Sequence, residues 1–321
     1  VVTIALGVGA NCLAWLMRVP AILVLLITGF FAGPVTGLLD VDETFGDLAI
    51  PIVSLSVAVI LFEGGLNLHL ADLKQIGTVL RRLLTVGGLV TWAISDGAAF
   101  LLLALPANIA LLLGAILTVT GPTVIGPMLR QIRPEGQVAN VAKWEGIMSD
   151  PLGAVLAVLV FEAGYFEGAE QLTGAFSKIA GGLMKTLLVG GAIGVFAAIP
   201  LVVVFRRYWL ADYLQSPVAL MVALGSFAVS NHFQPESGLL AVTLMGVVLA
   251  NGAPGHVRHI IEFKENLSII LISLLFILLS ARVKPDVIRQ IGWSSAAFVA
   301  CVILIVRPAS VFLSSIGSEL N

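Results

Sequence analysis

Charge is what this sequence lacks most. Only 11% of its 321 residues are Asp, Glu, Lys or Arg, against roughly a quarter in soluble domains, which excludes a water-facing globular surface. Basic residues are not in excess either. The net charge of −2 gives no footprint for nucleic acid or an anionic surface. Cysteine is almost missing: Cys12 and Cys301 each sit in an apolar run, so there is neither a disulfide framework nor a metal-ligand spacing. Both read as small packing residues. The histidines are His69, His232, His256 and His259, in loops or at the ends of apolar segments; only His256 and His259, in NGAPGHVRHIIEFKEN, are placed to sense pH. No polar stretch is long enough for a soluble domain. The chain opens on Val-Val-Thr without a signal peptide and ends on Ser-Glu-Leu-Asn, which reads as a piece of a longer product.

What is abundant is apolar sequence: 59% of residues are hydrophobic and the mean hydropathy is +1.06. A helix crossing a bilayer needs about 20 mostly apolar residues. Eleven segments qualify, at about 1–17, 20–38, 48–66, 82–105, 107–129, 138–163, 178–205, 214–232, 236–252, 266–283 and 290–315. The expected fold is therefore an all-α polytopic membrane protein, surrounded by lipid and joined by short loops. The 33 glycines suit helices that approach closely. If the first helix ends in the cytoplasm, that side receives Arg18, Lys74, Arg81, Arg82, Arg130, Arg133, Lys143, Arg206, Arg207, Arg258 and Lys264. The other side receives Lys178, Lys185, Arg282, Lys284 and Arg289. This asymmetry places the N-terminus outside.

The fifth segment, LLLGAILTVTGPTVIGPMLRQ, does not read as one continuous helix. It holds Gly121-Pro122 and Gly126-Pro127, and each proline lacks an N–H and clashes with the carbonyl four residues back, those of Thr118 and Thr123. Broken backbone at membrane depth is tolerated only where protein or a water-filled cavity satisfies the freed groups. Discontinuous helices of this kind mark ion and substrate sites in secondary transporters.

Ionisable groups inside apolar segments are costly and therefore read as functional. The candidates are Glu63, Asp96, Glu145, Asp150 and Arg307. Five helical positions rotate by roughly 500°, so Glu145 and Asp150 point about 140° apart and serve different partners. Ser149 shares the face of Glu145, and Pro151 frees the carbonyl of Ile147. Burial favours the neutral form of a carboxyl and a nearby cation favours the charged form, so an Asp in a half-wet cavity holds either a proton or a small cation. That competition is the minimum needed for exchange. Carboxylate, threonine hydroxyl and freed carbonyl oxygens suit a hard monovalent cation at Asp150. The simpler alternative is that Asp150 only caps a helix starting at Pro151. Arg307, a permanent charge in CVILIVRPASVF, needs a carboxylate partner, for which Glu145 is the choice. Asp96 faces a cavity or snorkels, and Glu63, before Gly64-Gly65, is an accessory group or an interfacial cap.

These residues resemble the monovalent cation–proton antiporter family of the NhaP/NHE type. The resemblance runs through LFEGGLNL (61–68), TVTGPTVIGP (118–127), EGIMSDPLGA (145–154), FILLSARV (276–283) and VRPASVF (306–312), and so covers essentially the whole chain. It implies an NhaA-like inverted-repeat transporter fold with a discontinuous helix, about 11 spans here of an expected 13, with the missing two after Asn321. It also implies a homodimer in a bacterial inner membrane, exchanging Na⁺ or K⁺ for H⁺ without a cofactor. Dimer and scaffold helices would fall at about 1–66 and 178–283, core helices at about 82–163 and 290–321. By the same resemblance Asp150 is the ion-binding Asp, with Ser149, Thr118 and Thr120 beside it and Thr123 as an accessory. Glu145 and Arg307 are the structural ion pair. This sequence departs from the family at Gly121, commonly Asp, and at Ser149, commonly Asn. Two rival functions, a sodium-coupled solute symporter and a non-transporting membrane sensor or scaffold, are separable by solute uptake under a sodium gradient and by ion-dependent stability.

Overall fold

In the computed structural model, the described residues are 2–121, 124–125, 128–129, 132, 134, 137–166, 172–285 and 291–316, with side chains at all of these except 42, 164–166, 172–178 and 254–266. Among them there are helices and no strand. In chain order the helices are α1 (Val2–Met17), α2 (Ala21–Val35), α3 (Glu43–Leu66), α4 (Leu73–Leu103), α5 (Ala107–Ile116), α6 (Val138–Phe166), α7 (Leu172–Arg206), α8 (Asp212–Phe233), α9 (Ser237–Gly252), α10 (Pro254–Ala281) and α11 (Trp293–Ser315). Six of them are long and apolar enough to cross a membrane. Each of the eleven overlaps one of the apolar segments of the sequence, so the chain is an integral membrane protein.

Two departures are informative. Segment four begins at Leu73, earlier than expected, because the amphipathic stretch Leu73–Arg82 continues through a π-helical turn at Leu83–Gly87 into the apolar run. Lys74, Arg81 and Arg82 hide that start in the sequence. Segment five is helical only to Ile116; Val119, Thr120 and Gly121 lie outside any helix, and helical backbone resumes at Val124 and Ile125. The break is thus present, while Pro122, Thr123, Gly126 and Pro127 themselves lie outside the described residues.

α9 is the hub. It is apolar on every side, and Leu240, Ala241, Val242, Met245 and Leu249 are all buried. A helix hydrophobic all round belongs in the middle of a large assembly, and α9 packs against α3, α7 and α8. Small residues set the distances: a Cβ on Gly65 of α3 would collide with the Thr243 carbonyl, and one on Gly246 with the Phe62 carbonyl. The first two helices pack with α10 around Ala14, Leu25, Ile277 and Leu278. A further group, α4, α5, α6 and α11, surrounds the broken segment.

Candidate ion site

α6 supplies the scaffold. It runs unbroken through Pro151, so Asp150 lies in mid-helix and does not cap a helix start, which removes the simpler alternative for that residue. Pro151 still deprives the Ile147 carbonyl of its helical donor. The break after α5 lies across α6 because α6 is bare where they meet. A Cβ on Gly153 would strike Val119 and approach the Thr118 hydroxyl, and one on Gly146 would strike Ile125. Gly146, Ser149 and Gly153 form a stripe of small residues at three- and four-residue spacing, a signal for close helix approach that sequence reasoning passed over although the spacing is plain there.

The Ser149 hydroxyl donates to the Thr118 carbonyl at 3.0 Å, and both residues are buried. That carbonyl is the one the Gly121-Pro122 step leaves without a helical donor, so α6 satisfies the break. The Thr118 hydroxyl donates back to the Ala115 carbonyl at 2.7 Å. Two residues on, the Thr120 hydroxyl reaches Oε1 of Glu145 at 3.5 Å.

The same oxygen of Glu145 accepts from Nη2 of Arg307 at 3.3 Å. Arg307 follows a π-helical turn at Val302–Val306. Pro308 accounts for that turn, since its ring excludes the Leu304 carbonyl from the regular helical ladder. One turn later the Ser310 hydroxyl donates to the Gly87 carbonyl at 2.8 Å, in the π-turn of α4. Ser310 and the π-turns of α4 and α11 were missed by sequence reasoning; Pro308 is a signal for the second, and nothing in Leu83–Gly87 marks the first.

Glu145, Arg307, Ser149, Thr118 and Ser310 line one cavity of about 360 Å³ whose other walls are mostly Leu, Gly and Trp92. Asp150, half-buried, is not on that wall. Its carboxylate carries no hydrogen bond or ion pair among the described residues. Glu63 accepts from the Ser268 hydroxyl of α10, and its neighbour Gly64 packs on Ile147 of α6. Asp96 is half-buried on α4, its backbone beside Gly114 of α5, and does not line the cavity either. The side chains of His256 and His259 lie outside the described residues.

The transmembrane sodium/hydrogen exchanger family pattern matches residues 1–321. The chain belongs to that family. Its members are secondary transporters rather than enzymes, and neither a symporter nor a sensor finds support in this match. The sequence is 28% identical over 299 residues to the K(+)/H(+) antiporter NhaP of Alkalimonas amylolytica, covering 92% of this chain and 51% of that protein. It is 26% identical over 318 residues to Na(+)/H(+) antiporter 1 of Methanocaldococcus jannaschii, covering 94% and 72%. This exchanger chain thus spans about half the length of the first relative and nearly three quarters of the second. Its fold matches a solved sodium proton antiporter from Methanocaldococcus jannaschii at pH 8 with a TM-score of 0.87 and 24% identity, over 100% of this chain and 78% of that one.

Proposed function

We propose that this exchanger chain carries a proton in one direction and Na⁺ or K⁺ in the other, with Asp150 as the single group for which they compete. The observation that carries this reading is the unequal state of the two carboxylates of α6. Glu145 is held by Arg307 at 3.3 Å and approached by Thr120, whereas Asp150 has no such partner among the described residues. A carboxylate already neutralised by a guanidinium has little to gain from an alkali ion; an uncompensated one exchanges a proton for it.

In this mechanism Asp150 binds the cation with oxygens from Ser149, Thr118 and Thr120, and Thr123 is an accessory. Glu145 and Arg307 hold the broken segment and α11 against α6. Asp96 and Glu63 are accessory groups, tuning the field without binding the transported ion. The protein works as a homodimer in a bacterial inner membrane with its N-terminus outside. Helices at about 82–163 and 290–321 move as a core against those at about 1–66 and 178–283. Relatives named for both Na⁺ and K⁺ support either ion.

The test is a pH-dye assay in inverted vesicles or proteoliposomes, adding Na⁺, K⁺ and Li⁺ in turn. The wild-type chain releases the pH gradient on addition of one or more of them, and Asp150→Asn abolishes the response while the protein still inserts and melts cooperatively. An intact response in Asp150→Asn would sink the mechanism.

A further inference from the structure

A second pocket lies well away from Asp150, three turns further along α6. It is bounded by Glu162 of α6, Thr186 of α7, and Gln234 and Glu236 of the turn joining α8 to α9. Its free volume, about 10 Å³, has room for roughly one water-sized guest. Every polar side chain lining it is an oxygen ligand or carries one: two carboxylates, an amide and a hydroxyl. The Thr186 side chain is 1% exposed and its hydroxyl has no hydrogen-bond partner among the described residues. Buried hydroxyls are rarely left so, and this one lines the pocket.

The turn is built to hold its shape. The Ser230 and Ser237 hydroxyls lie 2.6 Å apart, the Ser237 hydroxyl reaches the Gln234 carbonyl, and the Asn231 side-chain oxygen accepts from the Gly238 N–H at 2.8 Å. Glu236 has φ +62°, a left-handed conformation uncommon outside glycine, Asn and Asp, and it is stabilised by those bonds. Burial lifts the Glu236 carboxyl above its ordinary range, so an empty pocket disfavours its charged form. Among the described residues, no basic side chain lines the pocket to offset the two acids.

We infer that this pocket is a binding site for one hard divalent cation, held by Glu162, Glu236, Thr186 and Gln234. Two carboxylates in one small pocket are neutralised by one divalent ion and only half neutralised by an alkali ion. Calcium is favoured over magnesium, because mixed carboxylate, amide and hydroxyl ligands from two helices and a turn suit its adaptable coordination better than a strict octahedron. The accessible carboxylate of Glu162 leaves room for water to complete the shell. Such an ion ties α6 to α7 and to the α8–α9 turn. This site is independent of the transported cation.

The experiment titrates the purified full chain in detergent, in buffer free of Na⁺ and K⁺, with CaCl₂ and separately MgCl₂. Binding is read by calorimetry and by the melting midpoint. One equivalent of calcium is expected to bind and raise the midpoint. Glu162→Gln weakens binding at least tenfold, Thr186→Val weakens it several-fold without changing the shape of the pocket, and Asp150→Asn leaves it unchanged. Should Glu162→Gln fail to fold, Thr186→Val decides. Absence of saturable calcium binding, or wild-type affinity in Glu162→Gln and Thr186→Val, would overturn the assignment. So would binding of Na⁺ or K⁺ in preference to calcium that depends on Glu162.

Discussion

At the scale of single residues, the site is a set of polar groups each answering a specific vacancy. The proline step after Thr118 leaves a carbonyl without a donor, and the Ser149 hydroxyl fills that role at 3.0 Å. Ser149→Ala removes the donor but not the buried acceptor, a loss of about 1–3 kcal/mol, visible as a lowered melting midpoint. Ser149→Asn retains a donor and recovers part of it. Arg307 and Glu145 are a pair of a different kind. Removing one partner of a fully buried pair costs about 3–5 kcal/mol, but the Arg307 side chain is 36% accessible, so screening reduces the loss to about 1–2 kcal/mol. Arg307→Met is therefore expected to lower the midpoint by a few degrees, and Glu145→Leu in the same chain to restore most of it. A double-mutant cycle showing no coupling between the two would refute the pairing as an energetic link.

At the scale of elements, irregular helices aim the site. α4 and α11 each carry a π-helical turn; the first lines the cavity, and Ser310, one turn beyond the second, bonds to the Gly87 carbonyl within the first. A π-turn inserts one residue, so abolishing it rotates the rest of the helix by about 100°. Pro308→Ala allows the regular ladder to form at Val302–Val306 and swings Arg307 away from Glu145. The expected result is exchange reduced at least tenfold with an unchanged or higher melting midpoint, since a proline cost is removed. Parallel loss of stability and transport would mean the turn is only a structural defect. The elements themselves were largely legible in the sequence: twenty-residue apolar runs, and a Gly-Pro step where α5 stops at Ile116. The π-turns were not: the one in α11 depends on what Pro308 does to the ladder before it, and the one in α4 has no proline or other marker in Leu83–Gly87. Nor was the bond from Ser268 to Glu63, which joins residues more than two hundred positions apart. Pairing of Glu145 with Arg307 was readable for a simpler reason: a permanent charge in an apolar helix has few possible partners. The cavity between them was not, since its walls of Leu and Gly look like any other lipid-facing sequence.

At the scale of the whole molecule, the charge inventory decides the energetics of transport. In the proposed mechanism Glu145 stays paired with Arg307, so the moving charge at Asp150 is the same whether it leaves with a proton or with one alkali ion. On that reading each cycle moves no net charge. An electrogenic cycle moving one charge would gain about 2.3 kcal/mol per 100 mV, equivalent to a roughly 50-fold shift in the final ion ratio. An electroneutral one gains nothing. In proteoliposomes loaded at a fixed pH difference, the steady-state Na⁺ ratio is therefore expected to match the proton ratio and to stay there when a potential of about 100 mV is imposed. Arg307→Met tests the premise directly. With Glu145 unpaired, a second carboxylate is open to a cation, and any exchange that survives is expected to respond to the imposed potential. A wild-type endpoint that moves with the potential would show that Glu145 takes part in the cycle, and that its contact with Arg307 is broken and remade at every turnover.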